Sequence, residues 1–136
     1  MEANNRPEGK LVLRTLAMPA DTNPHGDIFG GWIMSQMDIA GGILAREVAC
    51  LRVVTVAAES ITFIKPVHVG DVVCCYGRVL RIGTTSITIE LEVWVKPALD
   101  KPVDESPEQR VTKAAFTYVA VDREGRKQTI NSNCRC

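Results

Sequence analysis

Asp38 stands midway along an otherwise apolar stretch, Gly30-Gly31-Trp32-Ile33-Met34-Ser35-Gln36-Met37-Asp38-Ile39-Ala40-Gly41-Gly42-Ile43-Leu44-Ala45. An unpaired carboxylate buried there would be costly, or would shift its pKa and neutralise. Just upstream, Asn23-Pro24-His25-Gly26-Asp27-Ile28-Phe29 makes a polar lead into Gly30-Gly31. A helix starting at that glycine pair offers free N–H donors and positive potential to a developing oxyanion. Donors plus a misplaced acid are the parts needed for acyl-group chemistry. The pairing points to an enzyme.

Other readings stand beside this one. Asp38 could pair with Arg46 or another cation, or lie on a solvent-facing stripe. Its helical neighbours at i±3 and i±4 are Met34, Ser35, Gly41 and Gly42, which offer no cation. A glycine pair also occurs wherever a chain turns into a helix. Spacing sharpens the question. Gly31 and Asp38 are seven residues apart, about 10.5 Å along a helix axis and almost on one face. One thioester cannot touch both. Either one of them is not catalytic, or Gly31 of one subunit works with Asp38 of another across a two-fold axis. The second reading is preferred, with Gly41 and Gly42 allowing the helices to pack closely.

The elements that must position these residues follow from pattern. Lys10 to Met18 reads as a strand and Pro19 to Phe29 as a loop. Gly30 or Gly31 to about Cys50 reads as one helix of roughly 19 residues, about 28 Å long. Strands follow over Arg52 to Val67, Asp71 to Ile82, Ser86 to Lys96 and Arg110 to Asp122. Alternation from Ser86 to Lys96 is strict, with Ile87, Ile89, Leu91, Val93 and Val95 on one side, as in a half-buried antiparallel strand. Pro97 to Gln109 reads as a solvated loop. Doubly wound folds need alternating βα units, which are missing here. Apolar residues surround nearly the whole helix, so it should be covered on several sides. An α+β hotdog fold, one long central helix wrapped by a curved antiparallel β-sheet, satisfies both observations. The 136 residues make one domain, with residues 1–9 and 124–136 as flexible tails.

Composition removes several function classes. Sixteen basic residues balance sixteen acidic ones, so no net charge attracts nucleic acid or an anionic membrane. No apolar run approaches the roughly 18 residues of a membrane span, and the N-terminus is neither signal nor transit peptide. Five cysteines, Cys50, Cys74, Cys75, Cys134 and Cys136, form an odd set best read as reduced thiols in a cytoplasm. Vicinal Cys74 and Cys75 would point to opposite sheet faces. Two isolated histidines and scattered cysteines give no zinc spacing. His25 reads as a turn or substrate-contact residue and His68 as a strand-end residue. The Arg78–Arg81–Gly83–Thr84–Thr85 segment is either an ordinary hairpin tip or a contact for nucleotide phosphates.

Taken together, these residues are similar to a known family. Leu13-Arg14-Thr15-Leu16-Ala17-Met18-Pro19 with Asp21-Thr22-Asn23 resembles the opening of the YciA-type acyl-CoA thioesterases. So do Gly26-Asp27-Ile28-Phe29-Gly30-Gly31-Trp32, Ser35-Gln36-Met37-Asp38, Phe63-Ile64-Lys65-Pro66 and Gly70-Asp71-Val72-Val73-Cys74-Cys75-Tyr76. The likeness runs from about Leu11 to Asp122. It implies a hotdog fold, hydrolysis of acyl-CoA to free acid and coenzyme A, and a homo-oligomer with a dimer as its catalytic unit, commonly a hexamer built as a trimer of dimers. By the same motifs Asp38 would be the catalytic carboxylate, Gly31 and Gly30 the carbonyl-polarising helix start, and Asn23 a loop amide for water or carbonyl. Substrate contacts are expected from Gly30, His25, Asp27 and Phe29, with Arg81, Thr84 and Thr85 near the ADP end of coenzyme A. No metal or redox cofactor is expected, because a thioester is already activated. Pro24-His25 departs from the smaller, more polar pair usual in relatives, and the Cys134-Arg135-Cys136 tail is unlike the family. Two rival functions are a hotdog hydratase or dehydratase, which would need a histidine–carboxylate pair at the helix, and a non-catalytic acyl-CoA sensor.

Overall fold

A computed structural model describes residues 6–97 and 108–130. Cys134, Cys136, and the remaining parts of the expected tails and solvated loop lie outside the described residues. The elements are β1 (Lys10–Leu16), a short 3-10 turn (Pro19–Asp21), α1 (Gly30–Ala49), β2 (Arg52–Phe63), β3 (Val72–Ile82), β4 (Ser86–Lys96) and β5 (Gln109–Val121). The strands form one open antiparallel sheet in the order β1-β3-β4-β5-β2. Helix α1 touches all five strands, so the sheet curves around it. This is the hotdog arrangement expected from the sequence.

The core lies between α1 and the inner sheet face. Ile33, Met37, Ala40 and Leu44 recur at helical spacing and are buried. They meet Ile87, Ile89, Leu91 and Val93 of β4 in one apolar cluster. Full burial of each large aliphatic side chain contributes about 1.5–3 kcal/mol. Within one chain, however, the helix is not covered all round. Gly31, Ser35, Ile39 and Ile43, at i, i+4, i+8 and i+12, remain on an exposed face.

Gly41 has a different cause from the one expected. A Cβ there would overlap the Tyr118 hydroxyl and lie 2.9 Å from Leu91 Cδ1, so the missing side chain seats a tyrosine of the same chain. Gly42 is only in ordinary contact with that ring. The space at Gly41 is filled within the chain by Tyr118.

Strand β4 also differs from the half-buried expectation. It is central in the sheet, and Glu92 and Trp94 on its outer side are buried as well. Glu92 is 1% exposed yet satisfied: it accepts from Trp94 Nε1 at 2.9 Å, from the Glu8 amide at 3.2 Å and from Arg110 at 3.5 Å. The chain around Glu8 therefore folds over this face, with Gly9 packed on the Gly77 backbone. At the other end, residues 124–130 are tied down rather than loose. Asp122 accepts from the Glu124 and Arg126 amides, and the amides of Gln128 and Ile130 donate to Ala120 and Thr84. Those backbone donors, Arg126 foremost, hold the Asp122 carboxyl below its ordinary range.

Cys74 and Cys75 are free and buried, paired across the ladder with Trp94 and Val93 on opposite faces. Cys50 is disulfide-bonded, which corrects the reading of five reduced thiols. Burial, with Cys74 as the smaller cause, pushes the Cys75 thiol up to about 12. A raised acid contributes stability that is full below its unfolded value and is lost as pH rises from there through about 12. Iodoacetamide at pH 8 should therefore leave Cys74 and Cys75 unmodified until denaturant is added; rapid labelling of the native protein would contradict this packing. Gly→Ala in a helix normally stabilises, but Gly41→Ala should destabilise by about 1–3 kcal/mol in urea titrations, because the Tyr118 seat is overpacked.

Candidate active site

The loop before α1 is built as a small staple. Thr22 and Ile28 bridge antiparallel, the Asn23 amide donates to Asp27 O at 2.7 Å, and the Gly26 amide donates to Asn23 O at 3.0 Å. Gly26 has φ +89°, which closes the turn without a Cβ penalty. Asn23 Oδ1 accepts from the His25 and Asp27 amides at 2.9 and 3.1 Å. Its acceptor is thus committed, and its Nδ2 has no partner among the described residues. His25 itself is exposed on the turn. The Ile28 amide bonds to Val67 O at 3.0 Å, which locks this loop to the segment after β2.

The helix begins at Gly30 with Phe29 as N-cap and no side-chain cap. Most helix starts use a Ser, Thr, Asp or Asn side chain to satisfy these donors. Here the N–H groups of Gly30 and Gly31 precede the first intrahelical bond and keep their partial positive charge. Phe63 lies against Gly30, at 3.1 Å from where a Cβ would stand. A cleft of about 380 Å³ opens at this place, lined by Asn23, Asp27, Gly30, Ile33, Phe63 and Lys65 among others. The structure therefore brings Asn23, Asp27 and Gly30 together. Phe29 is half-exposed beside them.

Asp38 is elsewhere, two helical turns along α1, and does not line that cleft. It is half-buried and pairs with neither Arg46 nor any other cation among the described residues. Two hydroxyls hold it instead. Thr55 Oγ1 donates to Asp38 Oδ1 at 2.6 Å, and Tyr118 OH lies 3.1 Å from the same oxygen and 3.0 Å from the Asp38 carbonyl. Oδ2 has no partner among the described residues. The sequence reading named neither Thr55 nor Tyr118. A signal did exist: a tyrosine in an apolar strand must find an acceptor when buried, and Asp38 was the acid placed among apolar residues.

Arg81, Thr84 and Thr85 sit at the β3–β4 turn. Arg81 donates to Thr88 at 3.3 Å, and the Thr84 and Thr85 carbonyls accept from Ile130 and Ala120. Arg78 is engaged by Glu90 and Glu8. Phe63 of the cleft pairs with Thr112, which pairs with Val93, seven residues along β4 from Ser86 at this turn, a span of about 23 Å. In one chain the turn and the cleft are therefore far apart. The larger clefts, of about 560 and 500 Å³, lie at the other end of α1 beside Ile43, Arg46, Cys50 and Arg52.

A metal has one geometric candidate among the described residues, Glu8 with Glu90 and Glu92. Arg78, Lys113 and Arg110 already neutralise that cluster. The nearest histidine–carboxylate approach is His68 to Asp27 at 3.8 Å, with both side chains about half exposed and off the helix.

The thioesterase superfamily model matches residues 25–99. The acyl-CoA thioester hydrolase YciA of Salmonella typhimurium is 59% identical over 127 residues, covering 93% of this chain and 94% of the relative. A hexameric broad-specificity acyl-coenzyme A thioesterase, solved as an aspartate-to-alanine variant, superposes with TM-score 0.88 at 60% identity, covering 93% of this chain and 89% of that one. A hexameric thioesterase from Yersinia pestis gives TM-score 0.88 at 59% identity, covering 93% and 100%. With its helix-borne carboxylate, open helix start and hotdog sheet, the chain belongs to the thioesterase superfamily and, within it, to the YciA-type acyl-CoA thioester hydrolases.

Proposed function

We propose that the protein hydrolyses acyl-CoA thioesters in a site completed by two chains, with Asp38 as its working carboxylate. The observation that carries this reading is Asp38 itself, held by two hydroxyls through Oδ1 with Oδ2 open, and set two turns beyond an uncapped helix start. The thioester carbonyl sits on the N–H groups of Gly30 or Gly31, with Asn23 Nδ2 as a further donor. One such donor is typically worth about 3–4 kcal/mol of transition-state stabilisation. Asp38 from the partner then acts as general base on water, or attacks the carbonyl to form a mixed anhydride. No metal or redox group enters either route.

Two features support the second chain. Strand β2 is a sheet edge twelve residues long and mostly exposed, a form that solitary chains avoid. Val54 and Val56 on β2 and Ile39 and Ile43 on α1, which packs against it, are large apolar side chains each at least 38% exposed. Antiparallel pairing of two β2 edges about a two-fold axis covers both. It also reverses one chain against the other, which brings the Arg81–Thr85 turn of one to the sheet end where the partner's helix starts. The ADP part of coenzyme A is placed at that turn. Such dimers assemble further into a hexamer, the state of two related thioesterases.

Hybrid assemblies test the shared site. Asp38→Ala and Asn23→Ala should each be folded and nearly inactive. Random mixing of unfolded chains followed by refolding should restore about a quarter of wild-type turnover, since half the dimers are hybrid and each hybrid holds one intact site. Hybrids as inactive as their parents would place the whole site within one chain. A single turnover in ¹⁸O-water tests the covalent route: label carried into Asp38 means a mixed anhydride opened at the aspartyl carbonyl and excludes a pure general-base mechanism.

A further inference from the structure

We infer that Tyr118 is a positioning residue for Asp38, pinning Oδ1 together with Thr55 so that Oδ2 is the oxygen that meets water or substrate. The inference deepens the function proposed above and rests on Asp38 being the working carboxylate.

Three elements converge on one oxygen. Thr55 reaches Asp38 Oδ1 from β2 at 2.6 Å, and Tyr118 reaches it from β5 at 3.1 Å. Gly41, one turn along α1 from Asp38, leaves the space that the Tyr118 hydroxyl occupies. The tyrosine has little freedom of its own. It is 1% exposed and stacks on Phe116 with ring centroids 6.4 Å apart. Its single proton is shared between Oδ1 and the Asp38 carbonyl, so it ties the side chain to the backbone that carries it.

Such a clamp matters because the terminal torsion of an aspartate is broad and nearly two-fold. Free rotation would exchange the two oxygens and spread them over many directions. Donors on one oxygen from two strands stop the exchange and leave the other oxygen in a single place. Among the described residues no charged group from α1, β2 or β5 pairs with Asp38, so these hydroxyls alone set its orientation. Burial first, then the Asp38 charge and hydrogen bond, push the Tyr118 phenol far above its ordinary value. It therefore stays a donor through any pH at which the enzyme is assayed.

The test uses the full-length enzyme with butyryl-CoA and Tyr118→Phe, which removes only the hydroxyl. We expect kcat to fall about tenfold or more with KM within twofold. The acidic limb of the kcat/KM profile should move up, because a hydrogen bond that favours the charged form of the working carboxylate is lost. A second variant carries 3-fluorotyrosine at position 118, which keeps the shape and donates more strongly; its acidic limb should move down. Unchanged kcat and an unmoved limb in folded Tyr118→Phe would overturn the inference. Should that variant fail to fold, an unmoved limb with fluorotyrosine would do so. Asp38→Asn runs alongside: its inactivity with a wild-type-like Tyr118→Phe rejects only the clamp, whereas an active Asp38→Asn rejects the proposed function itself.

Discussion

The structure depends on one carboxylate held by hydroxyl groups. Asp38 stands on a helix that the sheet wraps, where a solitary charge is costly and a cation would blunt its reactivity. Thr55 and Tyr118 hydroxyls solve both problems by donating to one oxygen without adding charge. Much of the chain serves that arrangement. Gly41 gives up a side chain to seat Tyr118, β5 brings the tyrosine in beside β4, and β2 brings the threonine although it lies at an edge.

A second constraint acts at the start of the same helix. Phe29 gives no capping oxygen, and the loop spends the Asn23 acceptor on its own backbone. Both choices leave donors rather than acceptors facing the cleft, which suits a carbonyl that gains negative charge. Donor end and carboxylate are nevertheless separated by the helix's own rise. In the proposed reading, one chain thus carries both halves of the chemistry in positions that no single thioester can bridge. An exposed strand edge and an uncovered apolar helix face lie on the side where a second copy would join them.

The sequence made much of this legible. Strict alternation in β4, the apolar helix bounded by Gly30 and Cys50, and glycine-marked turns are local signals, and the elements formed close to where they were expected. Asp38 was legible because an acid in an apolar helix is a local contradiction. Its partners were not. Thr55 and Tyr118 are 17 and 80 residues away, and ladder register decides whether either hydroxyl reaches it. Gly41 misled for the same reason, since a gap in a helix does not say what fills it. Strand β4 read as half-buried because alternation shows two faces but not that a β4 flanked on both edges, with the Glu8 segment folded over it, buries both.

The most direct measurement is thiol release from acyl-CoA esters of two to eighteen carbons, for wild type and Asp38→Ala side by side. Hydrolysis by the wild type that collapses to well under a tenth in the folded variant is the result this account predicts. Comparable release by both would remove Asp38 from the chemistry, and no release by a wild type that binds coenzyme A would contradict the hydrolase reading.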